Sequence, residues 1–348
     1  MMAAPPRRPA ARPSTTMSES AAVSSRRRAL ICGIGGQDGA YLAHFLLGKG
    51  YEVIGTSRDA MSMNRGGLRS LQIDSRVQVV SMAPNDFRSV LQTVTRAAPH
   101  EIYNLAGQTS VGLSFEQPVE TIESISIGTL NLLEAVRFVD GSISFYSAGS
   151  SECFGDTGDS RASESTPFRP RSPYAVAKTC AHNLVVNYRE AYGLRACTGI
   201  LFNHESPLRP ERFVTQKIVR AACRIAAGHQ ERLHLGRLDI YRDWGWAPDY
   251  VEVMWLMLQE DDLEDFVVAT GRSVSLEYFV QRAFACVDLD WREHVDHDES
   301  LLRPSDIRYG AADPSRVASR LGWQAKHDVD DVISDMCRAA SGAAGNLP

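Results

Sequence analysis

Residues 29–40 read Ala29-Leu-Ile-Cys-Gly-Ile-Gly-Gly-Gln-Asp-Gly-Ala40. The short apolar run from Ala29 to Cys32 stops at Gly33, and Gly33, Gly36 and Gly39 stand in a GxxGxxG spacing. Beyond them Tyr41, Leu42, Phe45, Leu46 and Leu47 share one helical face, Gly50 ends that helix, and Tyr51–Ile54 opens the next strand. Glycine permits a tight turn and a close approach of backbone to a pyrophosphate, and free N–H groups at a helix start supply the donors. The spacing is a weak signal by itself. Its place between a strand and an amphipathic helix gives it meaning.

The same alternation runs on. Val77–Val80, Glu101–Tyr103, Ile143–Tyr146 and Thr198–Phe202 read as strands, with helical stretches around 87–97, 120–138 and 173–192. This predicts an α/β fold, a doubly wound parallel sheet of Rossmann type covered on both faces. After Asn203 the pattern becomes irregular. Phe266–Thr270 reads as one more strand, and Asp313-Pro314 as an N-cap with proline at N1 of a helix closing near Leu321-Gly322. The expected organisation is a dinucleotide-binding domain over 28–203, with segments returning around 240–271. A smaller α/β substrate domain over 204–348 lies above the carboxyl edge of the sheet. Residues 1–27, rich in Ala, Pro, Ser and Arg, read as a disordered leader without the apolar run of a signal peptide, and Met17 is an equally good start.

Composition narrows the function classes. The 348 residues suffice for a sizeable core, and 44% hydrophobic and 23% charged residues are ordinary for a globular protein. A net charge of −5 supplies no global attraction to nucleic acid or membrane, so an anionic ligand must be held by local basic residues. No stretch reaches the roughly 18 apolar residues of a membrane helix. The seven cysteines are scattered and form no CxxC pair, which argues against a disulfide framework or a structural zinc and for reduced thiols in a cytoplasmic protein.

Three places carry candidate chemistry. The second strand ends at Thr56-Ser57-Arg58, where an acid would accept the ribose hydroxyls of NAD and an arginine suits the 2′-phosphate of NADP; Arg58 favours NADP, with Asp59 beside it opposing. Tyr174 and Lys178, spaced i, i+4, share a helical face, and an ammonium there stabilises a phenolate that can accept a hydroxyl proton. Ser150-Ser151-Glu152 follows the fifth strand at its carboxyl end, where ligands bind in such folds. A simple alcohol dehydrogenase needs Ser, Tyr and Lys only; Glu152 adds the second acid/base that elimination of water requires. The alternative is that these serines and Glu152 only cap a turn.

Taken together with Asn104-Leu-Ala-Gly-Gln108, Pro170-Arg-Ser-Pro-Tyr-Ala-Val-Ala-Lys178, Gly199-Ile-Leu-Phe-Asn-His-Glu-Ser-Pro207, Arg242-Asp-Trp-Gly245 and Arg303-Pro304, these motifs resemble those of the GDP-mannose 4,6-dehydratases, which are extended short-chain dehydrogenase/reductases. The resemblance runs from Arg28 to about residue 337, and the Phe-Asn-His-Glu-Ser-Pro run is its most specific part. It implies that Ser150, Glu152, Tyr174 and Lys178 are catalytic. It places Gly33, Ile34, Gly36, Gln37, Asp38, Gly39, Arg58, Leu105, Ala106, Gln108, Tyr174, Lys178, His204 and Arg209 at the NADP cofactor. Asn203, Lys217, Arg242 and Arg303 fall at the diphosphate and guanosine of GDP-mannose, and Ser114 at the sugar. A homo-oligomer, dimer or tetramer, is implied, and no metal.

The implied reaction oxidises sugar C4, removes water across C5 and C6, and returns the same hydride to C6, giving GDP-4-keto-6-deoxymannose. Cys32, Met82-Ala83, Asp59 and Asp306 depart from the family pattern, and the segment after Arg58 is short. The competing readings are a reductase of the 4-keto product, a dehydratase or epimerase of another nucleotide-sugar, and a non-enzymatic NADP-binding protein. Glu152 separates the dehydratase from the reductase.

Overall fold

The structure, a computed structural model, describes residues 26–230 and 232–342. The leader expected over 1–27 falls outside the described residues except for Arg26 and Arg27, and Met17 falls outside them too. Strands β1 (Arg28–Cys32), β2 (Glu52–Ser57), β3 (Gln78–Ser81), β4 (Glu101–Asn104), β5 (Ser144–Ala148) and β6 (Ala196–Leu201) join β10 (Phe266–Val268) in a seven-stranded sheet. Its order is β10-β6-β5-β4-β1-β2-β3, and each pairing is parallel. The strands are largely buried because both faces are covered. Helices Gln37–Gly48 and Ala247–Gln259 cover one face, where Phe45 meets Trp255 edge-on at 5.9 Å between ring centroids. Helices Phe87–Ala97, Gly128–Val139 and Pro173–Tyr192 cover the other, over Leu30, Ile102 and Phe145.

The helix expected over 120–138 forms as three pieces in a row: Pro118–Ile122, a π turn over Glu123–Ile127, and Gly128–Val139. Within the 240–271 stretch, the helix Ala247–Gln259 and β10 pack with the large sheet. Strand β9 (Tyr241–Trp246) instead lies between β7 (Asn203–Glu205) and β11 (Ser273–Ser275) in a three-stranded sheet. Strands β8 (Leu233–Leu235) and β12 (Val295–His297) pair separately. Helices Val214–Ala226, Leu276–Ala285 and Val329–Ala340 enclose a second core with Trp244 and Trp246.

One cap differs from expectation. The helix near residue 314 runs Ser315–Leu321 with Pro314 at the N-cap, one residue later than the sequence suggests, because the Asp313 carboxylate accepts the Ser315 N–H (3.1 Å) across the proline. Gly322 closes it at φ +64°. The chain before it is pinned to the sheet edge. Asp156 accepts the Arg308 N–H (2.8 Å), Thr157 N–H donates to the Tyr309 carbonyl (2.9 Å), and Tyr241 N–H donates to the Arg308 carbonyl (2.7 Å). These bonds fix residues 308 and 309, just past Arg303 and Asp306.

Candidate active site

The strand order reverses between β1 and β4, and the crevice at such a switch point is where dinucleotides bind. Gly33 leaves β1 at φ +89°, and a Cβ on it would lie 2.9 Å from the Leu105 carbonyl oxygen. A Cβ on Gly39 would lie 2.8 Å from Ile34 Cα, so only glycine lets helix and turn close on each other. Gly36, the N-cap of helix Gln37–Gly48, supplies no side-chain acceptor, and the first-turn amides are left for an external anion.

An acid in that first turn would repel phosphate, and the structure neutralises it. Asp38 accepts from His204 Nε2 (2.9 Å), while His204 Nδ1 lies 2.8 Å from the Phe202 carbonyl. Both partners are acceptors, so both ring nitrogens carry protons and the ring is an imidazolium. Burial alone would lower its pKa, but the adjacent Asp38 carboxylate outweighs burial and raises it. Burial pushes Asp38 up, yet the His204 charge and hydrogen bond prevail and bring it down to about 2. Gln37 ties the same elements together: its amide donates to the His204 carbonyl (3.2 Å) and accepts from Ser206 (2.7 Å). The Asn-His-Glu-Ser run thus fastens β7 to the glycine turn.

Tyr174 and Lys178 stand on the first turns of the Pro173–Tyr192 helix, started by Ser172, whose hydroxyl accepts the Ala175 N–H (3.1 Å), and by Pro173 at N1. Lys178 Nζ donates to the Ala148 carbonyl at the end of β5 (2.8 Å) and lies 5.8 Å from the Tyr174 ring centre. Burial lowers Lys178 to about 8 and drives Tyr174 upward, against a hydrogen bond from Ser150 that favours the phenolate. Ser150 also accepts the Glu152 N–H (3.3 Å), so it caps its turn and meets Tyr174 as well. Glu152 lines the same cleft. Burial raises its pKa, and the charges of Arg242 and Arg303 counter this only in part. A carboxyl with a raised pKa that lines one cleft with a tyrosine–lysine pair can both remove and return a proton.

Basic residues form the opposite wall. Arg242 stands in β9, opposite Val274 in the β11–β9 pairing, and donates to its neighbour Tyr241's carbonyl (2.9 Å). Asp306 lies between Arg242 (3.4 Å) and Arg303 (3.5 Å). Asn203, Arg209 and Lys217 line the cleft too; Arg209 contacts Glu205 at 3.2 Å, and Lys217 donates to the His234 carbonyl (2.7 Å). Asp243, next to Arg242, is structural: it accepts from Thr270 N–H (3.0 Å) and Gly271 N–H (2.7 Å).

Leu105 also lines the cleft. Other expected residues are placed differently. Arg58 is largely exposed at the end of β2 and pairs with Glu120 at 2.8 Å. Gln108 folds back on Ser110 and Thr121. The Ile34 side chain is buried beneath Gly55, and Ala106 packs against the core behind β4. Ser114 is fully buried and donates to the Val111 carbonyl (2.6 Å), so its hydroxyl is not brought to the cleft; Thr109 and Ser110 from the same segment are. Arg212 and Arg237 line the cleft unforeseen. Their signal is proximity in sequence, three residues after Arg209 and five before Arg242. Among the described residues no cluster of three His, Cys, Asp or Glu is arranged to hold a metal, and no helix is long and apolar enough to cross a membrane.

A glycine turn at the switch point and a Ser-Tyr-Lys cluster at the end of β5 define an extended short-chain dehydrogenase/reductase. Solved structures share the fold: UDP-glucose 4-epimerase of Thermus thermophilus, complexed with NAD, superposes with a TM-score of 0.80 at 23% identity over 91% of this chain and 100% of that one. RMD of Pseudomonas aeruginosa, complexed with NADPH, does so with a TM-score of 0.74 at 21% identity over 92% and 99%. Within this class the chain belongs to the GDP-mannose 4,6-dehydratase family, whose sequence profile it matches over residues 30–336. It is 45% identical to GDP-mannose 4,6 dehydratase 1 of Arabidopsis thaliana over 90% of each chain.

Proposed function

We propose that the chain is a hydro-lyase converting GDP-mannose to GDP-4-keto-6-deoxymannose and water with a nicotinamide cofactor, NADP. The observation that carries this reading is the meeting, in one cleft, of Glu152 with Ser150, Tyr174 and Lys178 opposite Arg242 and Arg303. The residues present fit the cofactor: only glycine lets the turn close tightly on the helix start, that helix start is uncapped, and Asp38 is neutralised by His204. Gly33, Gly36 and Gly39 would hold its pyrophosphate, Arg58 its 2′-phosphate, and Lys178 its nicotinamide ribose. When bound, it would supply the acceptor for a hydride from sugar C4 and the donor of that hydride to C6.

The chain's own groups do the rest. Tyr174, whose phenolate Ser150 favours against burial, takes the O4 proton. The resulting ketone acidifies C5–H, and Glu152 removes that proton and protonates the departing O6. The Glu152 pKa, raised by burial, suits a group that must be base and acid in turn. Arg242, Arg303 and Lys217 hold the diphosphate and Asn203 the nucleotide-sugar, which fixes C4–C6 between Tyr174 and Glu152.

Exposed Val119, Phe138, Val176 and Tyr192 on the helices between β4 and β6 support a homo-oligomer. Free cysteines support a cytoplasmic location.

The test is incubation of folded, NADP-loaded protein with GDP-mannose and mass spectrometry of the sugar nucleotide. A product lighter by one water, with deuterium moved from C4 to C6, is expected. No conversion, together with reduction of the 4-keto sugar by NADPH, would overturn the dehydratase in favour of a reductase.

A further inference from the structure

Three of the seven cysteines meet away from the catalytic residues, where helices Val214–Ala226, Leu276–Ala285 and Val329–Ala340 pack. Cys286 stands at the C-cap of the second helix and is exposed. Cys337, buried on the third, directs its thiol at the Ala283 carbonyl (3.8 Å), one turn before Cys286. Ala283 lies in the last turn of the helix that Cys286 caps, so the Cys337 thiol sits beside Cys286, and Cys223 on the first helix reaches the Cys337 carbonyl (3.9 Å). Leu276, at the far end of the Cys286 helix, lines the cleft, about 15 Å away along ten residues of helix.

We propose that Cys286 and Cys337 form a reversible dithiol–disulfide pair that responds to peroxide. Cys286 is the attacking sulfur because it alone of the two is exposed, and Cys337 is the resolving one because its thiol lies against the last turn of the Cys286 helix. The Cys286 thiolate attacks a peroxide oxygen, the O–O bond breaks, and the departing hydroxide leaves as water with the proton Cys286 gave up. The sulfur is oxidised to a sulfenic acid and the peroxide reduced. Cys337 then attacks that sulfur; the S–S bond forms, the S–O bond breaks, and the Cys337 proton leaves with a second water. The local charges agree. The hydrogen bond from Cys337, reinforced by Arg282 and Ser334 against partial burial, lowers Cys286 to about 7, whereas the same contact and burial push Cys337 upward.

The disulfide would close the loop from 286 to 337, which contains Leu301, Leu302, Arg303 and Asp306 of the cleft wall. Closing a long loop restricts the unfolded chain more than the folded one. The oxidised protein should therefore melt a few degrees above the reduced one, and the difference should vanish in Cys286→Ser.

The deciding experiment treats the full chain with stoichiometric hydrogen peroxide, digests it without reductant and maps the peptides. Cys180, the other exposed thiol, is the internal control. The expected result is the Cys286 peptide joined to the Cys337 peptide with two hydrogens lost, formed before Cys180 is oxidised and reversed by dithiothreitol. In Cys337→Ser, Cys286 should persist as a sulfenic acid that a dimedone probe traps. Oxidation of Cys286 no faster than Cys180, a bond from Cys286 to Cys223, or a sulfenic acid that persists with Cys337 intact would each overturn the pair. Mapping the unmutated chain decides this even if a variant misfolds, and it does not depend on the dehydratase reading.

Discussion

Asp38 and Glu152 are carboxylates of one cleft, yet their surroundings displace them in opposite directions: Asp38 falls to about 2 and Glu152 rises. Both lose solvent. The difference lies in their partners. Asp38 has an imidazolium in direct contact at 2.9 Å, fixed from behind by the Phe202 carbonyl. The arginines nearest in charge to Glu152 are shared with a competing acid, Asp306. One end of the cleft therefore holds an ion pair beside the phosphate turn, and the other leaves a carboxyl free to exchange protons. Burial alone does not separate structural from working acids; exclusive pairing does.

The largest effect expected from this contrast is at Glu152. Glu152→Gln keeps shape and hydrogen bonding but cannot exchange a proton, and water loss should fall about 10²–10⁴-fold. GDP-mannose should still reduce the bound cofactor, visible in its absorbance, because Tyr174 is untouched. Tyr174→Phe should abolish that absorbance change as well as the product. A Glu152→Gln enzyme that dehydrates at the normal rate would remove the working half of the comparison.

His204→Gln addresses the other half. The glutamine retains hydrogen bonding but leaves Asp38 without its counter-charge, at an expected cost of about 1–3 kcal/mol, below that of breaking a fully buried pair because Asp38 is partly exposed. The pH dependence carries the sign. The lowered Asp38 contributes stability above the ordinary carboxylate pKa that is lost as pH falls through about 2. The raised His204 contributes stability below the ordinary imidazole pKa that is lost as pH rises through its folded value. Thermal midpoints of wild type and variant should thus differ most between those two ordinary values, near pH ~5, and converge in alkali. A difference that is flat with pH would show that packing on Tyr250, whose ring lies 4.4 Å from His204, matters and the charge does not.

This contrast also explains what could be read in the sequence. The glycine turn, the parallel sheet and the Tyr174–Lys178 pair are local: period, spacing and a cap determine them within one or two elements. The Asp38–His204 pair joins residues 166 apart, and nothing near either one signals the other. Ser114 lies away from its expected place for a related reason. Its neighbourhood does reach the cleft, through Thr109 and Ser110, but helix phase turns its hydroxyl back to Val111. Arg58 sits where its strand predicts, and its ion-pair partner Glu120 comes from the Pro118–Ile122 helix, 62 residues on, which the sequence does not bring near. In the sequence Asp306 shows only as a departure from the family pattern; its position between two arginines depends on the hydrogen bonds that thread residues 308–310 past Asp156 and Tyr241.

Asp306→Asn is the finest probe of the comparison, with a few-fold effect on rate at fixed pH. Removing this negative charge relieves its repulsion of Glu152 and releases Arg242 and Arg303, so the Glu152 pKa should fall toward the behaviour of Asp38. If Glu152 must be ionised to take the C5 proton, the acid limb of the kcat profile moves to lower pH. The same released arginines meet the substrate diphosphate with less competition, so KM should fall as well. The two readouts separate the causes: a lower KM with an unmoved acid limb would mean that Asp306 tunes binding alone. An acid limb that shifts with KM unchanged would mean that Asp306 acts through the proton on Glu152, which makes the loosely paired acid the one whose charge the cleft adjusts.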